Sequence, residues 1–358
     1  MKTIVHVVGN RPQFIKLAVL YNEISGNESS QQQIVHTGQH FSYNMSGLFF
    51  KELHLPEPTI NLNIQSSSSN LFIGETSEAL QAYFLQQNNI IVFVYGDTNT
   101  TLAAAMAAKR CNIPLVHFEA GVRTYEFNMP EEINRTLTDR LSDVNYCCTG
   151  NNYAIMRQEG YGTVIDSQVA LTGDLMLDAF LKISHSDKRI ATHPEYIATT
   201  VHRDANLCDK NALVNIVKAL NELHKTIPVV MPVHPHTKKK MSEFGIEALF
   251  EVIDPLGYPD MKNLLANASY VITDSGGTCR EAYFLQKRSL IIMDTPFWPE
   301  IIAQNCSLSC SANKEKILSH FLSLDSLHPD FGTNIFGDGN AAQKIHLHLN
   351  AYLASDSL

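Results

Sequence analysis

The chain has 358 residues, 44% hydrophobic and 18% charged, which is enough apolar material for a sizeable core and unlike a disordered composition. Its 27 Lys and Arg against 36 Asp and Glu leave a formal charge of −9 with no basic tract, so nucleic acid is a poor electrostatic partner. No apolar run approaches the roughly 18 residues of a membrane span, and the length suggests about two domains at roughly 150 residues each.

Met1-Lys2 leads directly into an apolar strand-like run at 3–8, too short and too soon interrupted for a secretory signal. Further strands are predicted at 33–37, 90–95, 114–118, 144–148 and 169–171. A second set follows at 196–201, 228–233, 250–253, 270–273, 290–293 and 307–309. Helical patterns lie between most of them, as at 71–85, 102–110 and 213–223, and the polar run 66–69 reads as a surface loop. Short strands separated by helices indicate parallel α/β units. Two successive sets of about six suggest two doubly wound domains rather than one very wide sheet. The domains are placed at 1–173 and 174–339, with the boundary near 173–184. The last helix, 341–353, lies in a segment, 340–358, expected to pack back onto the first domain.

Seven cysteines, an odd count with no C-x-x-C pair, favour reduced thiols in a cytoplasmic enzyme over a disulfide framework or a structural zinc site. Cys306 and Cys310 read as packing residues. His36, His224, His346 and His348 read as surface positions of helices or strands.

Strand after strand ends in polar or glycine residues: Gly9 to Pro12, Thr37 to His40, Gly96 to Thr98, His117 to Gly121, Thr172 to Asp174, His202-Arg203, His234 to His236 and Thr273 to Gly277. Ordinary turn chemistry explains the glycines and some aspartates, but not repeated His, Arg and Glu at the same edge. In open parallel sheets, ligands bind beyond the carboxyl ends of the strands.

Thr273-Asp274-Ser275-Gly276-Gly277 joins a strand to a helix, where glycines admit a ligand to the backbone and the helix N-terminus favours an anion such as phosphate. A plain tight turn reads the same way, and both the P-loop lysine and the G-x-G-x-x-G spacing are missing. Arg11 and Lys16, around Pro12, suit either a phosphate grip or a solvated helix face. Asp97 and Glu119 end neighbouring apolar strands, and close carboxylates there make an acid–base pair. Glu131 or Glu132, after Pro130, serves a helix N-terminus as well as it serves catalysis. His202-Arg203 and His234-Pro235-His236 offer cationic or proton-transferring groups. A metal site built from His234, His236 and Asp97 lacks a further ligand at convincing spacing, so no metal is expected.

In order, Gly9-Asn10-Arg11-Pro12-Gln13-Phe14-Ile15-Lys16, Thr37-Gly38-Gln39-His40, Gly96-Asp97-Thr98, Glu119-Ala120-Gly121-Val122-Arg123, Pro130-Glu131-Glu132-Ile133-Asn134-Arg135, His202-Arg203 and Thr273-Asp274-Ser275-Gly276-Gly277 resemble the non-hydrolysing UDP-N-acetylglucosamine 2-epimerase family over nearly the whole chain. Gly9 to Lys16, Thr37 to Phe41 and Val252-Ile253-Asp254-Pro255 look closest to the subgroup acting on UDP-2,3-diacetamido-2,3-dideoxyglucuronate. The resemblance implies a GT-B-like α/β fold, two Rossmann-like doubly wound domains with an interdomain cleft, in a homodimer without a redox cofactor. It implies inversion at C2 of a UDP-sugar through elimination of UDP to a 2-acetamidoglucal and re-addition. By the same resemblance Asp97, Glu119, Glu131 and His202 are catalytic. Arg11, Lys16, Arg135, His202, Arg203, His234, Ser275, Gly276 and Gly277 bind the substrate, and Glu281 bonds the ribose. Substrate activation at a second site near Gln39-His40 occurs in part of the family.

Departures from the family pattern fall at Cys279-Arg280, Met293, Pro296-Phe297, His236 and Asp204-Ala205-Asn206, while Trp298 and Glu300 persist as in the subgroup. They cluster on the nucleotide side and leave Asp97, Glu119, Glu131 and His202 intact. A hydrolysing relative, a GT-B glycosyltransferase and a catalytically silent UDP-sugar-binding protein are the other readings, and fold alone separates none of them.

Overall fold

Ile90–Tyr95 is buried at all six positions, as a central parallel strand sealed on both faces must be. It is β4 of a seven-stranded sheet that also holds β1 (Thr3–Val8), β2 (Gln31–His36), β3 (Ile60–Asn61), β5 (Leu115–Ala120), β6 (Val144–Cys147) and β7 (Gln168–Leu171). All pairs are parallel, in the order β3-β2-β1-β4-β5-β6-β7. The computed structural model describes residues 2–26, 30–38, 50–184, 188 and 190–354. Gln39 and His40, near which part of the resembled family is activated by substrate, lie outside the described residues.

The helices of this unit are α1 (Arg11–Ser25), α2 (Ser69–Phe84), α3 (Asn99–Arg110), α4 (Pro130–Leu141), α5 (Gly150–Gln158) and α6 (Leu175–Lys182). Helices α2, α3 and α4 pack side by side. The alanines Ala103, Ala104, Ala105, Ala107 and Ala108 of α3 are fully buried, and small side chains let its backbone lie close to its neighbours. The polar run 66–69 departs from a loop at its end: Ser68 caps α2, accepting from the Leu71 N–H at 3.3 Å, and Ser69 is already helical. A serine cluster thus signalled a helix start. His36 is also corrected, since it is buried, stacks on Phe14 at 5.4 Å, and has its imidazole pushed down by burial.

The second sheet holds β8 (Ile197–Thr200), β9 (Val229–Pro232), β10 (Glu251–Ile253), β11 (Tyr270–Thr273), β12 (Ser289–Ile292) and β13 (Ser307–Cys310) in the parallel order β10-β9-β8-β11-β12-β13. Its helices are α7 (Asp204–Leu207), α8 (Lys210–His224), α9 (Pro235–Phe244), α10 (Tyr258–Asn267), α11 (Gly276–Phe284), α12 (Pro299–Ala303) and α13 (Lys314–Ser323). The apolar face of α8, with Leu213, Ile216, Val217, Leu220 and Leu223, joins Val229, Met231, Ile272 and Leu290 in one core. Cys306 and Cys310 are buried as expected, and all seven thiols are free.

One unit comprises Met1–Lys182 with Ile335–Leu358, and the other Ile183–Asn334. The sequence division at 173 falls just before α6, which the structure keeps with the first unit because α6 packs on α1. The chain re-enters that unit where Gly173 (φ +91°) meets Gly337 (φ +92°): a Cβ on Gly173 would lie 3.0 Å from the Phe336 carbonyl oxygen. The last helix, α14 (Ala341–Ala354), buries Ala341, Ile345 and Leu349 at four-residue spacing and packs on α1 and α6. Buried Asp178 of α6 caps it, accepting from the N–H groups of Ala341 (3.0 Å) and Ala342 (2.8 Å).

Candidate functional site

Each sheet reverses its winding once, between β1 and β4 in the first and between β8 and β11 in the second. The two helices that follow such strands leave in opposite directions, opening a crevice at the carboxyl edge. Gly9 to Pro12 and Gly96 to Thr98 follow the two strands of the first point, and His202-Arg203 and Asp274 to Gly277 those of the second.

In the first unit the edge is locked by Gln13. Asn10 and Gln13 form a capping box at the start of α1, and Gln13 Oε1 also accepts from the Gly9 N–H at 2.7 Å. Gln13 Nε2 donates to the Tyr95 carbonyl (2.8 Å), Thr98 Oγ1 (3.0 Å) and Thr101 Oγ1 (3.0 Å). One buried amide therefore ties the end of β1 to the end of β4. Arg11, the first residue of α1, is half-buried beside it.

Lys16, one turn further along α1, is buried and forms an ion pair with Glu119. Glu119 reaches it because the backbone breaks register between Phe118 and Ala120 and adopts φ +76° at Glu119. Asp97 follows Gly96, whose left-handed turn (φ +66°) leaves room: a Cβ there would stand 3.4 Å from Lys16 Nζ and 4.0 Å from Glu119 Oε1. Asp97 pairs with Arg135 of α4, and the Asp97 carbonyl accepts from Asn134 Nδ2 at 3.0 Å. Burial works against the Arg135 charge, but Asp97, Glu132 and Glu131 raise its value.

The structure separates the two adjoining glutamates. Glu132 is fully buried and accepts from the Thr124 N–H (2.9 Å), the Tyr125 N–H (3.0 Å) and Arg135 Nη1 (3.0 Å). It holds the loop before α4. Glu131, half-exposed in the first turn, keeps a carboxylate near Arg135 without those duties.

A small cavity beside Lys16 and Glu119 is lined also by Cys148, Asp174 and Tyr146. The ligand atoms of Glu119, Cys148 and Asp174 lie within 4.8 Å of one another. Sequence reasoning placed Asp174 at a polar strand end and counted Cys148 among the thiols but gave neither a role, and Lys16 already supplies the cation at this cluster. The metal grouping considered from sequence took Asp97 from one unit and His234 and His236 from the other.

In the second unit the locking group is Asp274, fully buried at the end of β11. It accepts from the N–H groups of His202 (3.1 Å) and Arg203 (3.0 Å) and from Asn206 Nδ2 (3.0 Å). The His202 ring is half-exposed, with Nδ1 3.8 Å from Asp274. His234 caps α9 by accepting from the His236 N–H at 3.2 Å. Burial, then the charges of His202 and His236, push the His234 imidazole down, so these three histidines share one edge.

Ser275 caps α11, accepting from the Thr278 N–H at 3.2 Å. Gly276 and Gly277 form the first turn of α11, and a side chain at Gly276 is excluded because its Cβ would lie 2.6 Å from the Phe297 ring. Glu281 is buried on the same helix; burial pushes neighbouring Lys262 down, and the Glu281 charge opposes that only in part. Three of the sequence departures, Arg280, Met293 and Phe297, pack around Arg203, Gly276 and Trp298. Arg203 lies 4.8 Å above the Phe297 ring and donates to Met293 Sδ at 3.1 Å. Arg280 stacks on Trp298 at 4.5 Å, and Trp298 Nε1 donates to the Gly276 carbonyl at 3.0 Å.

Two doubly wound units, each with polar side chains at its own switch point, define an α/β protein of the class that takes ligands beyond its strand ends. The chain matches the family model described as UDP-N-acetylglucosamine 2-epimerase over residues 22–350. It is 36% identical to the UDP-2,3-diacetamido-2,3-dideoxy-D-glucuronate 2-epimerase of Pseudomonas aeruginosa, covering 97% of this chain and 99% of that protein. It is 32% identical to the UDP-N-acetylglucosamine 2-epimerase of Methanococcus maripaludis, over 95% and 96% of the two. The crystal structure of the Methanocaldococcus jannaschii UDP-GlcNAc 2-epimerase in complex with UDP-GlcNAc and UDP is similar with a TM-score of 0.90 at 31% identity, over 98% of this chain and all of that one. The chain belongs to the UDP-N-acetylglucosamine 2-epimerase family, whose members are isomerases, and its fold class is GT-B-like α/β.

Proposed function

We propose that this protein is a non-hydrolysing 2-epimerase that inverts C2 of UDP-N-acetylglucosamine to the manno form. The C2 proton is only weakly acidic, so its removal must be coupled to departure of a stabilised anion. A base takes the proton from C2, the C1–O bond breaks with its electron pair going to UDP, and a 2-acetamidoglucal forms. UDP re-adds at C1 while an acid delivers a proton to the other face of C2. Electrons are conserved between substrate and product, so no redox cofactor is called for.

Proton transfer at two faces needs more than one acid–base group. Asp97, Glu119, Glu131 and His202 are proposed to supply them. Arg11, Lys16, Arg135, Arg203, His234, Ser275, Gly276, Gly277 and Glu281 are proposed to bind the substrate, with the helix N-terminus at Ser275 suited to the diphosphate. The observation carrying the reading is the pair of ion pairs, Lys16–Glu119 and Arg135–Asp97, at the ends of adjacent strands. A carboxylate beside a fixed cation is oriented and can exchange a proton without wandering. The test is the fate of the C2 proton in D2O.

A second substrate reading, UDP-2,3-diacetamido-2,3-dideoxyglucuronate, draws on the 36% identity to the Pseudomonas protein of that name, which a Methanococcus maripaludis protein named as a UDP-N-acetylglucosamine 2-epimerase homolog equals at 36%. Offering both sugars side by side decides between them. We also infer a cytoplasmic homodimer. All seven thiols are free, and among the described residues no helix is long and apolar enough to cross a membrane. Ile133 and Leu137 lie one turn apart on α4 with exposed side chains, near the exposed Tyr125 and Phe127 in sequence. Light scattering should return twice the 40.0 kDa chain mass; a monomer at working concentration contradicts the dimer.

A further inference from the structure

His117 on β5 was legible only as one more polar residue at a strand end, yet its ring is fully buried. Nδ1 lies 2.7 Å from Asp139 Oδ1, and Nε2 lies 2.7 Å from the Gly96 carbonyl oxygen. A carbonyl oxygen only accepts, and an ionised carboxylate only accepts. Asp139 also takes hydrogen bonds from Arg123 Nη1 (2.6 Å) and the Gly121 N–H (3.2 Å). Burial alone would raise the Asp139 carboxyl, but the bond from His117 and the Arg123 charge hold it below the usual carboxylate range. Arg123 in turn pairs with Glu159 at 2.8 Å. Burial and the Asp139 charge push the nearby Cys147 thiol and Tyr161 hydroxyl up, so neither adds charge. With both ring nitrogens donating, the cluster holds two cations, His117 and Arg123, and two anions, Asp139 and Glu159, and balances.

We propose that His117 is a positioning residue that, as a buried imidazolium, holds the Gly96 carbonyl and so sets the turn that aims Asp97. A Cβ built on Gly96 would stand against both Lys16 and Glu119, and the Gly96 peptide leads directly into Asp97. A rotation of that peptide would move Asp97 relative to Glu119, and misplacement of about 1 Å costs on the order of 100-fold in rate. The inference rests on the reading of Asp97 as an acid–base group.

The test compares His117→Phe, which keeps a ring and loses both donors, with His117→Gln, whose amide can still donate toward Gly96. His117→Phe should lower kcat about 100-fold with KM nearly unchanged, and His117→Gln should recover to within about tenfold of the parent. A folded His117→Phe protein with parental kcat, or a Gln variant no better than Phe, overturns the proposal. Nitrogen-15 NMR of the parent protein should show both His117 nitrogens protonated; a bare ring nitrogen overturns it even where a variant does not fold. Asp97→Asn is run in parallel. If Asp97→Asn exchanges the C2 proton at the parental rate, the acid–base reading of Asp97 fails, whereas parental His117→Phe turnover beside an inactive Asp97→Asn protein sinks only the role of His117.

Discussion

Glu119 holds a backbone angle, φ +76°, that a residue with a Cβ adopts at a cost of about 1–3 kcal/mol. The bulge after Phe118 turns its carboxylate onto Lys16 rather than along the pleat. Asp97 is aimed by a different device, a glycine turn followed by an arginine from α4. Replacing Asp97 by Asn or Glu119 by Gln should lower kcat by about 10²–10⁴-fold. UDP binding, followed by calorimetry, should change little, and a variant with parental kcat would remove that residue from the chemistry. Both carboxylates were legible because acidic residues at apolar strand ends are poorly explained by turn preference. Gln13 and Asp274 were not, although each stood inside a quoted motif. Their roles lie in bonds to residues 68 and 82 positions away, from Asn206 to Asp274 and from Gln13 to Tyr95, which no local pattern encodes. Residue type alone left Glu131 and Glu132 interchangeable and only the resemblance pointed to Glu131, whereas in the fold Glu132 is fully buried and holds the Thr124 and Tyr125 N–H groups.

At the scale of elements, apolar runs were read well whether long or short, and the four-residue run 270–273 coincides with β11. The run 90–95 matches β4 residue for residue, whereas β3, two residues long, carries no periodicity to detect. Helix starts were placed late, since α3 begins at Asn99 with Thr98 as its cap rather than at the first apolar residue, Leu102. The last helix was legible from its four-residue spacing, but the reason it docks was not. That reason is Asp178, whose carboxyl is raised chiefly by its burial and still serves as the cap of α14. Asp178→Ala should destabilise the docked helix by about 2 kcal/mol, through two unsatisfied N–H groups. The expected readouts are a lower thermal midpoint and earlier proteolytic loss of the segment after residue 335. A variant as resistant as its parent would show that apolar packing alone holds α14.

The whole molecule repeats one design in two units. Each has a parallel sheet with one reversal of winding, and each closes that reversal with a buried polar side chain, Gln13 in one and Asp274 in the other. Strand alternation in the sequence made the two sheets legible, and the strand ends gave the edges on which function was sought. The departures at Arg280, Met293 and Phe297, read in sequence as a nucleotide-side group, pack around Gly276, Arg203 and Trp298, so they are expected to tune nucleotide or sugar preference rather than the proton chemistry. That chemistry is tested most directly by incubating the protein with UDP-N-acetylglucosamine, and separately with its diacetamido-uronate counterpart, in D2O and following C2 by NMR. The account predicts deuterium at C2, growth of the manno epimer and slow leakage of UDP with at least one sugar. Unlabelled C2 after long incubation with both, or epimer formed with its original proton retained, would contradict it.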